Sequence, residues 1–243
     1  MRCKIDPRMP HFPEVINATE TMNGIDFPKA VSCYSTYLSV LYHFNHAGID
    51  YLRDSTRPFY NAIGNYTSGW SSVEVTDLKK YNSYLTPTEQ KKSVCKDHWL
   101  IPQPFSNFLL TEWIRFKEWD EFFKAWMMCS QTIKVTSIQN EALSMFTHES
   151  DDGIVQHKVS VPTHERYDIL GIKCSKEVIG TSKTFPYEEL TSDCLEIFKD
   201  WMKFEEENML EPSLLKKVSI AEIQDKVESE KEEIDYVIEN FGH

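Results

Sequence analysis

The chain has 243 residues, 41% hydrophobic and 13% aromatic, which is enough for one good-sized core and too apolar for a disordered segment. Its formal net charge of −12 opposes nucleic-acid binding by bulk attraction, and no stretch approaches the roughly 18 consecutive apolar residues of a membrane span. The acidity is uneven: residues 201–243 carry twelve acids and five lysines, so the first 200 residues are only mildly acidic.

Six cysteines, at 3, 33, 95, 129, 174 and 194, are widely spaced with no C-x-x-C pair, as expected for reduced thiols. The start, M-R-C-K-I-D-P-R-M-P, is charged and proline-broken, unlike a signal peptide. The N-x-[ST] sites at Asn17 and Asn65 are too common a pattern to outweigh it. These features predict a soluble cytoplasmic protein, in the host cytoplasm if the chain is viral.

In chain order, residues 1–26 are polar and turn-prone. Apolar residues at 31, 34, 38, 41 and 42 then predict a helix over about 28–46, stopped by Gly48. Residues 54–77 read as loop with a short strand at 72–76. Between 79 and 96 stand five lysines and one acid, the one clearly basic segment. The apolar stripe 105, 109, 113, 116, 119, 123, 126 and 127 predicts a single long helix.

Alternation at Ile133 and Val135 predicts a strand, and Thr136 or Ser137 can cap a following helix through Gln139, Asn140, Ala142, Leu143 and Met145. Ser-Asp-Asp-Gly at 150–153 predicts a turn before a strand over 154–161, and "THERYDILG" one helical turn ending at Gly171. Two helices close the chain, the second amphipathic with 220, 223, 227, 234 and 238 apolar. The expected class is α+β, mostly helical with a few short strands. The expected division is a domain over 1–209 and an acidic helix or arm over 210–243, the latter able to pack on its own core or to meet a protein partner or a second copy.

The chemistry-bearing candidates begin with Asp97-His98, in "SVCKDHWLIPQP". An imidazole can take a proton from water near neutral pH, and a carboxylate beside it can hold a hard divalent cation. The plainer alternative is a turn-capping Asp97 beside a partly buried histidine. Lys79, Lys80, Lys91, Lys92 and Lys96 are candidate phosphate contacts, with Tyr81 and Tyr84 interleaved for base stacking, or simply a solvated loop. His157, His164 and Arg166, with Asp151 and Asp152, form a second candidate cluster. His43 and His46 could share a metal or meet a phosphate but read more simply as helix-terminal residues, and Arg53, Asp54 and Arg57 could clamp a phosphate or form a surface ion-pair group.

"CKDHWLIPQ", followed by "TIKVTSIQNEAL", resembles the D-H and later N of HNH-type (ββα-metal) nucleases, including bacteriophage-encoded versions, over about residues 93–148. The resemblance implies metal-dependent phosphodiester hydrolysis of DNA. His98 would be the base, Asp97 a metal ligand, and Asn140 a third member with catalytic and metal-holding roles. The metal would be Mg²⁺ or Mn²⁺ in preference to Zn²⁺, held in a ββα-like core interrupted by a long helix. The alternative from a different class is a non-enzymatic viral or intracellular module that binds protein through its aromatic surface and C-terminal helix. P-loop, dinucleotide-binding, nucleophile-elbow and H-E-x-x-H motifs are absent.

Overall fold

A computed structural model describes residues 27–47, 59–63, 66–84, 94–149, 157–176, 192–210 and 220–241. The first helix, α1 (Phe27–Ala47), matches the expected periodicity. Val31, Tyr34 and Leu41 face the core, whereas Tyr42 is 59% exposed because Tyr37 takes the buried position beside the other rings.

The region 66–84 differs from expectation. β1 (Tyr66–Ser72) ends where a strand was predicted to begin, and α2 (Val73–Tyr84) follows at once. Ser72 Oγ accepts from the Val75 amide, capping the first turn, and Val75, Leu78 and Tyr81 are buried on one helical face. The local alternation of Val73 and Val75 is thus overridden by helical burial. Tyr81 is a core residue here: it packs with Leu78 and Ile234, and its hydroxyl donates to Glu233.

After β2 (Val94–His98), the predicted single helix is three pieces: α3 (Pro102–Thr111), α4 (Trp113–Phe116) and α5 (Trp119–Cys129). Neither Gly nor Pro lies at the breaks, so local propensity does not cause them. Broken helices leave carbonyls without helical partners. Two tyrosines of α1 supply donors: the Tyr37 hydroxyl donates to Leu109 O at 2.8 Å, and the Tyr34 hydroxyl donates to Lys117 O. The rings of Tyr34 and Tyr37 pack on Phe122 with centroids 4.9 and 5.0 Å away. Burial, followed by the charge of Glu118, pushes the Tyr34 phenol up to about 12, so the group stays a donor.

The segment 131–144 follows its sequence signals. β3 (Gln131–Thr136) runs into α6 (Ser137–Ser144) through a reciprocal cap: Thr136 Oγ1 accepts from the Gln139 amide, and Gln139 Oε1 accepts from the Thr136 amide. β4 (Thr147–Glu149) pairs antiparallel with β5 (His157–Val159). A 3₁₀ turn (Thr163–Glu165) leads into α7 (Arg166–Ile169), closed by Gly171 at φ 67°, a left-handed position that suits glycine. β6 (Cys174–Lys176), α8 (Ser192–Asn208) and α9 (Ile220–Phe241) complete the chain.

The main sheet has strand order β2-β3-β1-β6, with β3 and β1 parallel and the outer pairs antiparallel. Ile133 and Val135 of β3 enter the main core with residues of α1, α3, α5 and α8. Thr132 and Thr136 are buried on the opposite face, where Thr136 Oγ1 donates to Glu230 of α9. α9 lies along α2 and α6. Ile223, Val227 and Ile234 are its buried apolar residues and Glu230 is buried with them, while Ile220 is 41% exposed.

The protein is therefore a mostly helical α+β structure with small sheets. Among the described residues the five cysteines form no disulfide, and no helix is long and apolar enough to cross a membrane. Replacing Tyr37 by Phe keeps the ring and strands a buried carbonyl. A loss of about 1–3 kcal/mol in urea unfolding is expected, against little change for Tyr42→Phe on the exposed face.

Candidate functional site

Asp97 and His98 end β2, in register with Ile133 and Thr132 of β3. Trp99, Leu100 and Ile101 follow as buried anchors, and Pro102 starts α3. Trp99 is held twice: its indole Nε1 donates to Met128 O at 2.6 Å, and its ring stacks on Phe198 at 5.5 Å. The doublet is thus fixed at the rim of a cleft of about 500 Å³, whose walls include Lys96, Asp97, His98, Gln103 and Arg166.

Arg166 is 1% exposed. Its Nε donates to Thr163 O, Nη1 to Leu143 O, and Nη2 to both His98 O and Asp97 Oδ2, at 2.7–3.2 Å. The Tyr167 hydroxyl donates to the same Asp97 oxygen at 2.6 Å. Burial, then the Asp97 charge, raises the Tyr167 phenol well above its ordinary range, which keeps it protonated as a donor. The chain places a guanidinium and a phenol from consecutive residues of α7 on one carboxylate of β2.

This arrangement overturns the metal-nuclease reading. Among the described residues, no three His, Cys, Asp or Glu side chains come together to hold a metal ion. β2, β3 and α6 do follow one another in space, but Asp97 offers its carboxylate to Arg166 and Tyr167. A guanidinium 3.0 Å from that oxygen repels a divalent cation at the same place. The resemblance to HNH-type nucleases, the Mg²⁺ or Mn²⁺ cofactor and metal-dependent DNA hydrolysis are therefore not supported.

Asn140 is half-buried on α6 and is not part of the cleft wall. Lys79 and Lys80 lie on α2 with their side chains outside the described residues, as are Lys91 and Lys92 altogether; Lys96 is exposed on β2. The expected phosphate-binding row is thus represented at the cleft by Lys96.

Of the second cluster, Arg166 joins the first site. His157 lies on β5, its side chain outside the described residues, and Asp151 and Asp152 are outside them too. His164 packs edge-on against Phe198, with centroids 5.7 Å apart. Burial lowers its imidazole, opposed by Glu165 and Asp168. His43 is exposed on α1 against the Tyr42 ring, whereas the side chain of His46 and the group 53–57 lie outside the described residues.

Three further wall residues, Tyr60, Asn61 and Gln103, had no signal in the sequence. Their type and spacing are ordinary, and only the fold brings them to β2. Glu205 of α8 was equally invisible. It is 3% exposed and accepts from the Thr163 amide at 3.0 Å and from the Thr163 hydroxyl. Burial raises its carboxyl to about 7, opposed by the Thr163 hydrogen bonds and by Arg166.

Fold and site define an α+β protein whose candidate cleft is built around a buried arginine–carboxylate pair. Comparison with protein-family models, curated proteins and solved structures gives no match to this chain.

Two outcomes are expected. Arg166→Met leaves Asp97 without its cation and several carbonyls without a donor. A loss of about 3–5 kcal/mol is expected, measured by chemical unfolding. Glu205 has a folded value above its ordinary 4.5, so its contribution is fully present below about 4.5 and is lost as pH rises through about 7. That loss amounts to about 3 kcal/mol. In Glu205→Gln this part of the pH dependence should vanish, seen as a smaller drop in urea midpoint between acid and neutral pH than in wild type.

Proposed function

We propose that this chain is a non-enzymatic protein-binding module, and that the outer face of α9 is its contact surface. The observation that carries the reading is Tyr236, 63% exposed on a helix whose opposite face is anchored on α2. Exposed large aromatics on a rigid element are the residue type that anchors protein interfaces, and one held by packing loses little entropy on binding. Glu232, Glu233 and Glu239, at i−4, i−3 and i+3 from Tyr236, are exposed around it.

The surface is acidic, so its complement is basic. Two copies of this face would meet with like charge, which disfavours self-association through it and favours a different, basic protein. The same charge disfavours nucleic acid.

The test is affinity capture with the full chain, then reconstitution with the purified captured protein. A stoichiometric complex is expected whose affinity falls at least about tenfold in Tyr236→Ala, and falls further when Glu232 and Glu239 are also changed to Lys. Unchanged affinity in the triple variant, or no stoichiometric complex with any captured protein, overturns the reading.

A further inference from the structure

We propose that the cleft at the end of β2 binds a small amphipathic anion: an apolar ring or short chain bearing one phosphate or carboxylate. The cleft is independent of the α9 surface. Its volume of about 500 Å³ lies in the range that encloses a small organic ligand.

Charge bookkeeping at the walls gives the sign. Among the described wall residues Asp97 is the one carboxylate, and Arg166 already neutralises it. Lys96 has no ion-pair partner among the described residues. Among the described residues the cleft therefore presents one uncompensated positive charge, although the chain as a whole is strongly acidic.

The second observation is the buried Arg166. The bonds to Thr163, Leu143, His98 and Asp97 use four of its five N–H groups, and Arg166 is one of the residues behind the wall. Its position is fixed before any ligand arrives, so the wall costs little to organise on binding.

The third is the apolar part of the wall. Ile101, 5% exposed, and the half-buried Tyr60 ring line the same cleft as the Gln103 and Asn61 amides. A plain inorganic anion would leave that surface unused. A molecule with an apolar body and a charged head would use both.

The experiment is isothermal titration of the full chain with phenyl phosphate, benzoate and phenol. At least one of the two anions is expected to saturate a single site with Kd below about 1 mM, and phenol to give no saturable heat. Comparing the two anions identifies the head group. Lys96→Gln and Lys96→Glu, at an exposed position, should keep the native circular dichroism and unfolding midpoint while weakening the anion at least about tenfold. Gln103→Ala provides a second site on the wall and should also weaken it. The proposal is overturned if neither anion saturates, if phenol binds as well as the anions, or if natively folded Lys96 variants bind like wild type. A failed α9 surface would change none of these readouts.

Discussion

The Arg166 guanidinium is the contact on which the architecture around the cleft depends. It ties the last residues of β2, the C-terminal turn of α6 and the 3₁₀ turn before α7 through four hydrogen bonds. A buried charge is costly unless it is paired and its donors are met. Here Asp97 supplies the pairing and three backbone carbonyls supply acceptors. Those carbonyls would otherwise be orphans of a strand end, a helix end and a turn. One side chain thus meets several local deficits, and its geometry positions the cleft.

The same principle recurs where helices break or meet. Tyr34 and Tyr37 of α1 meet carbonyls between α3 and α5 while their rings pack on Phe122. Trp126 donates to Ile63 O, and Trp99 to Met128 O. Gln224 of α9 donates to Ile169 O of α7. In each case a long side chain carries a donor to backbone that has no helical or strand partner. Among the described residues, these polar-tipped rings fill interior volume and satisfy carbonyls together.

That use of residues explains how a motif can mislead. Asp-His beside a lysine-rich run has the residue types of a metal site. Whether a carboxylate binds a metal depends on what else reaches it, and here Arg166 and Tyr167 arrive from about seventy positions away. A cationic partner at the carboxylate cancels its preference for a second cation. Among the described wall residues, Lys96 is then the charge without an ion-pair partner.

The sequence by itself determined the elements with short-range signals. Helix α1 came from apolar spacing, the β3–α6 junction from a capping Thr136 or Ser137, and the end of α7 from Gly171. These depend on interactions three or four residues apart, so a linear reading reaches them. The fragmentation of 102–129 into three helices, the burial of Tyr81 and the helical rather than extended state of 73–76 were decided by tertiary packing. So were the pairing of Asp97 with Arg166 and the arrival of Tyr60, Asn61 and Gln103 at the cleft. In these cases the deciding partner sits tens of residues away, and a side chain's role depends on which distant donor, acceptor or charge the fold sets beside it.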